Sequence, residues 1–286
     1  MKRIVTIQDI SCVGKCSLTV ALPVLSAMGV ETAVIPTAVL SAHSVFPDFT
    51  FRDLTEEILR VAAHWKQQAL DFDAIYTGYL GSEKQIQVVS DFFDEFRTPN
   101  TTIVVDPAMA DQGRMYAGFD RKFAGAMREL CAKADLIDPN VTEACFMTDT
   151  PYREQQDEKF IQTLLEKTAK LCSGIVVLTG VSASPEKTGV VGMDTRTGAV
   201  YRYEHPRMEG QFHGTGDIFS STLVGGLMRG LPPEPALRLA ADFTHLCIEK
   251  TVSDPERRWY GVSFEQALPE LILRLQRELF EDFTKN

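Results

Sequence analysis

Short apolar runs alternate along this chain with stretches in which apolar residues recur every three or four positions. Arg3–Gln8 alternates and predicts a strand, after which Leu18, Leu22, Leu25 and Met28 fall on one helical face. Pro23 interrupts that face and predicts a kink or a late start. Further strands are expected over Thr32–Val39, Asp73–Thr77, Thr101–Val105, Asp135–Ile137 and Gly174–Leu178. Helices are expected around Leu54, Ile58, Val61 and Trp65, then over Glu83–Phe96, Phe119–Cys131, Asn140–Met147 and Glu154–Leu171. Gly189–Met193 and Ala199–Glu204 flank DTRTG and read as an antiparallel hairpin. Helices over Gly214–Arg229 and Pro233–Lys250, and a last apolar stripe through Phe264, Leu268, Leu271, Ile272, Leu275 and Leu279, complete the pattern.

Repeated strand–helix units imply a mainly parallel sheet with helices on both faces and a small antiparallel extension, an α/β fold. No Gly/Ser-rich or Pro-rich linker and no internal repeat divides it, so residues 1–286 are expected to form a single domain. Such sheets bind ligands beyond the C-terminal ends of their strands. That directs attention to Asp9–Cys16, Ser41–Phe51, Gly78–Ser82, Asp106–Gly113, Asp138–Glu143, Thr179–Pro185 and His213–Asp217.

Composition narrows the partners. The 286 residues are 44% apolar and 24% charged, and 29 Lys and Arg against 39 Asp and Glu leave a net charge of −10. A balance this acidic argues against nucleic acid and anionic membranes, while leaving room for one locally positive cleft. No run of apolar residues is long enough for a membrane span, and MKRIVTIQDISC reads as a strand rather than a secretion signal. Six cysteines without framework spacing read as reduced thiols, so a soluble cytoplasmic protein is expected.

Three strand-end motifs carry candidate chemistry. Gly14-Lys15-Cys16-Ser17 fails as a Walker loop, lacking its first glycine and its Ser or Thr after Lys. HGTGD (His213–Asp217) is a better anion site: a glycine-rich turn opening a helix offers unpaired N–H groups at the positive end of the dipole. VDPAMAD ends a strand with Asp106, and NVTE places Asn140 and Glu143 three apart on one helical face. Carboxylates and an amide in successive strand-end loops suit magnesium and a polyphosphate. Each motif also has a plain structural reading: Asp217 as a helix cap, Asp106 before Pro107, and Asn140 with Glu143 as a capping box.

The ordered set Asp106–Met109 (DPxM), Asn140–Glu143 (NxxE) and Gly214–Asp217 (GTGD) resembles the ribokinase-like superfamily, a three-layer α/β/α sandwich. TGYLGS (Thr77–Ser82), and IQD before the turn at Ser11–Ser17, resemble its pyridoxal kinase family, over nearly the whole chain from residue 3 to about 270. The resemblance implies an ATP-dependent kinase acting on the 5′-hydroxymethyl group of a B6 vitamer. Asp217 would be the general base, and the amides of Gly214, Thr215 and Gly216 the anion hole for the γ-phosphoryl group. Asn140, Glu143, Asp106 and Thr179 would bind ATP, with Asp106 and Glu143 at Mg2+. Asp9, Ser44, Tyr79 and Asp217 would contact the vitamer, under a flap at His43–Phe51. A monovalent cation such as K+ and a homodimer are also implied. Asp9 replaces a common Ser and Thr179 a common Lys, and VGK has one glycine where sugar and hydroxymethylpyrimidine kinases have a pair. The alternatives are a hydroxymethylpyrimidine (phosphate) kinase of thiamine synthesis and a non-enzymatic vitamer or pyridoxal 5′-phosphate carrier.

Overall fold

The computed structural model describes residues 1–283 and opens on β1 (Arg3–Ser11), a strand buried along nearly its whole length. After a loop come α1 (Leu18–Ala27), β2 (Glu31–Leu40) and the short β3 (Phe51–Asp53). The helix runs through Pro23 and starts at Leu18, so the late start is not seen. β1 and β2 pair in parallel from Arg3 opposite Glu31 to Ser11 opposite Leu40, and the register breaks between Gln8 and Ile10. Asp9 lies in that break. An irregularity of this kind re-aims a side chain at a strand end, which is where a site in a parallel sheet is needed. β3 turns back to pair antiparallel with β2, an edge too short for the apolar pattern to have signalled.

The following segment holds α2 (Thr55–Gln67), β4 (Ala74–Thr77), α3 (Glu83–Phe96), β5 (Thr102–Val105) and the two-residue partners β6 (Ala110–Asp111) and β7 (Arg114–Met115). It continues with α4 (Arg121–Cys131), β8 (Leu136–Ile137), α5 (Val141–Met147), α6 (Glu158–Thr168), β9 (Ile175–Val181), β10 (Lys187–Asp194) and β11 (Val200–Pro206). β4, β5, β8 and β9 pair in parallel in that order, and β10 and β11 add the expected antiparallel hairpin. These strands read as β-branched runs because both of their faces are covered. Helix α6 begins at Glu158, later than its apolar pattern, because Asp157 caps it by accepting the Phe160 N–H at 2.7 Å. The β6–β7 hairpin was not legible either.

The chain ends with α7 (Thr215–Met228), α8 (Pro233–Ser253) and α9 (Leu268–Phe283). The last apolar stripe is split: Phe264 lies in a 3-10 turn, while Leu271 and Leu275 are buried and Ile272 is exposed. By its contacts the chain divides into two units, Met1–Leu54 with the chain from Met208, and Thr55–Arg207. Among the described residues no helix is long and apolar enough to cross a membrane.

Candidate active site

In the first unit, the break in β1 places Asp9 where its carboxyl is buried. The Ser11 hydroxyl donates to it at 3.0 Å, and the Ser17 hydroxyl donates as well. Burial nevertheless raises the Asp9 carboxyl above its ordinary range, because desolvation disfavours the charged form. Asp217, in the first turn of α7, accepts the Ser17 backbone N–H. Its burial and the neighbouring Asp9 charge push it up to about 7. Both carboxylates also act on the buried Cys16 thiol, which burial and their charges push well up, leaving it an unreactive thiol. Asp9 and Asp217, 208 positions apart, thus come together around Ser17.

The turn before Asp217 leaves its backbone donors uncapped. Gly214 is the N-cap of α7, has φ +82° and supplies no side-chain cap, so no side chain occupies the N–H groups of the first turn. A Cβ on Gly214 would lie 1.8 Å from the Lys15 carbonyl oxygen. Gly216 differs: a Cβ there would meet nothing within 4 Å, so the space beside it is open. The Thr215 hydroxyl donates to the Phe212 carbonyl at 3.1 Å and braces the turn. Lys15 is itself fixed by an ion pair with Glu265 at 2.7 Å.

Around the turn lie two histidines whose rings meet at a tilt, 5.2 Å between centroids, His213 before Gly214 and His43 in the loop after β2. His43 Nδ1 accepts the Val45 N–H at 3.1 Å, and burial together with His213 holds its ring down at about 4. Ser44, next in that loop, is exposed on a turn. Cys12 is exposed and Cys16 buried, and no cluster of three or more metal-ligating side chains occurs among the described residues.

The second unit gathers the predicted nucleotide residues. Asn140 and Glu143 form a complete capping box at the start of α5: Asn140 Oδ1 accepts the Glu143 N–H at 2.9 Å, and Glu143 Oε2 accepts the Asn140 N–H at 2.8 Å. Glu143 Oε1 further accepts the Met109 N–H at 3.0 Å, and Asn140 Nδ2 donates to the Ala110 carbonyl at 2.7 Å. The structural reading of NxxE is therefore correct, and the same bonds tie the DPAMAD loop to it. Burial pushes the Glu143 carboxyl up to about 8 against these N–H donors. Thr179, at the end of β9, bridges to Asn140, its N–H donating to the Pro139 carbonyl at 3.0 Å. Asp106 is buried at the end of β5, its N–H bonded to the Thr77 carbonyl at 3.0 Å. Burial raises the Cys131 thiol, and the charges of Glu143, Asp138 and Asp106 act in the same direction. Asp138 was within a predicted loop but not singled out, and a buried acid at a strand end was its only signal. Tyr79 follows β4 and stacks on Phe119 at 5.7 Å.

Carboxylate oxygens are suitable donors for a hard cation. Both Glu143 oxygens already accept backbone N–H groups, so the set fits magnesium held largely through its own waters.

The phosphomethylpyrimidine kinase family model matches residues 21–257. A Bacteroides thetaiotaomicron protein provisionally named a phosphomethylpyrimidine kinase, solved in a form with pyridoxal, is 39% identical with a TM-score of 0.89, covering 94% of this chain and 95% of that one. Pyridoxal kinase from Lactobacillus plantarum is 31% identical with a TM-score of 0.86, covering 96% and 97%. A curated Caenorhabditis elegans relative, provisionally named a pyridoxal kinase, is 32% identical over 189 residues, covering 64% of this chain and 57% of that protein. This chain thus spans less than two thirds of that curated relative's length. Matched over most of its length by the family model and by whole-chain structural relatives, the chain belongs to the phosphomethylpyrimidine kinase family, on the ribokinase-like fold shared with pyridoxal kinases.

Proposed function

We propose that this chain is an ATP-dependent kinase that phosphorylates the 5′-hydroxymethyl group of a B6 vitamer (pyridoxal, pyridoxamine or pyridoxine) in salvage of pyridoxal 5′-phosphate. The observation that carries the reading is the uncapped turn at Gly214 followed directly by Asp217, a carboxyl held near neutrality beside a second acid. A hydroxymethyl group is a poor nucleophile until its proton leaves. Asp217 takes that proton as the oxygen attacks, and a base titrating near the working pH suits the task. The N–H groups of Gly214, Thr215 and Gly216 receive the charge that develops on the transferring γ-phosphoryl group.

Asn140, Thr179, Asp106 and Glu143 bind the nucleotide in this reading, with Asp106 and Glu143 holding magnesium through waters. Magnesium, when bound, neutralises phosphate charge. Asp9, Ser44 and Tyr79 contact the vitamer. Asp9, as a carboxylate, favours the amine or alcohol vitamer over the aldehyde. A requirement for K+, a homodimer, action of residues 1–286 as one domain and a cytoplasmic location belong to the same proposal; six free cysteines support a reducing compartment.

The family match favours one second reading, a hydroxymethylpyrimidine kinase using the same residues on a smaller ring. Coupled ADP release with each vitamer and with hydroxymethylpyrimidine in competition tests the choice. The expected result is a higher kcat/KM for a vitamer, and a large preference for the pyrimidine overturns it. Tight vitamer binding without ADP release would instead identify a carrier.

A further inference from the structure

Ser17 occupies the N-cap of α1 with φ 49° and ψ −134°, a conformation disfavoured for a residue that has a Cβ. Its carbonyl anchors the helix, accepting the Val20 and Ala21 N–H groups at 3.0 and 2.9 Å. A serine at an N-cap ordinarily turns its hydroxyl onto a free helix N–H. Ser17 makes no such cap. Its hydroxyl goes to Asp9 on β1, and its N–H goes to Asp217 on α7. The residue is buried, so both bonds are sheltered from water. Glycine would accept this backbone without strain but has no hydroxyl to offer.

We propose that Ser17 is a positioning residue of the phosphoryl-acceptor site, holding Asp9 by its hydroxyl and Asp217 by its N–H so that the two carboxylates act as one unit. This rests on the kinase reading above. Asp9 faces the polar substituent of the acceptor ring, Asp217 faces the reacting hydroxyl, and Ser17 sets their relation. The strained backbone is the condition for reaching both acids from one residue.

Two acids in one desolvated place oppose each other's ionisation. Burial raises Asp9, and the Ser17 hydroxyl works against that burial by favouring the charged form; a charge on Asp9 in turn raises Asp217. The other titratable groups near Asp217 are Cys16 in the loop before α1, His213 before its own turn and His43, whose ring is tilted against that histidine; Lys15 is committed to Glu265. Of these, the Cys16 thiol also shares the Ser17 hydroxyl, and burial holds it neutral. Loss of the hydroxyl removes a bond that favours the Asp9 charge, and so weakens the charge that opposes ionisation of Asp217. Ser17→Gly removes the hydroxyl, retains the N–H and tolerates the backbone, so the fold is kept. Asp9→Asn removes the charge directly, with nearly the same shape.

The test follows the Asp217 carboxyl by carbon-13 NMR titration in substrate-free protein, its resonance identified by its absence in Asp217→Asn. In the native chain the midpoint is expected near 7. In Ser17→Gly and in Asp9→Asn it should fall by about one pH unit, the scale of a neighbouring like charge. The double variant should match Asp9→Asn alone, since Ser17 acts through Asp9. The acid limb of kcat should move by the same amount while KM for ATP holds. A Ser17→Gly midpoint left in place, or a double variant whose shift is the sum of the two, overturns the proposal. Native turnover is scored separately. If the native chain releases no ADP with any hydroxymethyl acceptor, the kinase reading falls and takes Ser17's role with it. Normal turnover with an unmoved midpoint overturns the Ser17 proposal alone.

Discussion

The Lys15 carbonyl oxygen stands where a side chain on Gly214 would have to go, 1.8 Å from an ideal Cβ. The loop after β1 and the phosphate turn before α7 are therefore packed backbone to backbone, and glycine at 214 is a condition of that approach. Its φ of +82° adds a second reason.

This separates the two glycines of GTGD. Gly214→Ala must displace Lys15 or unwind the turn, and a stability loss of more than about 1 kcal/mol is expected in urea unfolding, together with a fall in kcat. Gly216→Ala meets open space. It should melt like the native chain yet lose activity, because the new methyl enters the region assigned to the γ-phosphoryl group. Equal melting of both variants would contradict the packing described.

Asp217→Asn keeps the shape and the ability to accept the Ser17 N–H, but cannot take a proton as a carboxylate does. A fall in kcat of about 10²–10⁴-fold is expected, the range of positioned general bases. Affinities for ATP and vitamer should change little, since the lost interaction belongs to the transition state. Single-turnover rates with separately titrated affinities decide it. A folded Asn variant with native chemistry would remove Asp217 from the mechanism.

The same residue links pH to both activity and stability, in opposite directions. With its carboxyl raised from 3.8 to about 7, Asp217 is protonated below neutrality, so kcat should rise with pH through about 7. A raised carboxyl favours the folded state fully below its ordinary value, and that contribution is lost as pH rises through the folded value. Melting temperatures measured between pH 4 and pH 8 should carry a decline across this window that Asp217→Asn lacks.

Glu143→Gln tests the capping box. The two carboxylate oxygens accept N–H groups from Met109 and Asn140, and an amide must turn its NH2 group toward one of them. A loss of about 1–3 kcal/mol is expected from the unsatisfied buried donor. Magnesium titrations of the folded variant should also require more metal and leave vitamer affinity without nucleotide unchanged. A stable variant with native magnesium dependence would exclude both roles.

Asp9→Ser addresses acceptor choice. The shorter, neutral side chain removes the carboxylate offered to an amine or hydroxyl, so the ratio of kcat/KM for pyridoxamine to that for pyridoxal should fall, with KM for ATP nearly constant. An unchanged ratio would place Asp9 outside the vitamer site.

By itself, the order of residues determined the alternation of strands and helices, because a buried parallel strand and a one-sided helix impose different apolar periods over several residues. Glu83–Phe96 matches its helix to the residue, and the hairpin after Gly174–Leu178 appears as read. Elements of two or three residues, β3, β6 and β7, were beyond that reading, since so few positions display no period. The motifs at Asp106, Asn140, Glu143 and Asp217 were visible as residue types in strand-end loops. Their local chemistry was not: the double use of Glu143 depends on Met109, which lies 34 positions away, and the charge coupling of Asp9 to Asp217 joins residues 208 positions apart. Ser17 itself passed as an ordinary turn serine. Periodicity is a property of neighbouring positions and survives in the linear chain, whereas burial, carboxyl titration and shared hydrogen bonds exist only once distant segments exclude water together.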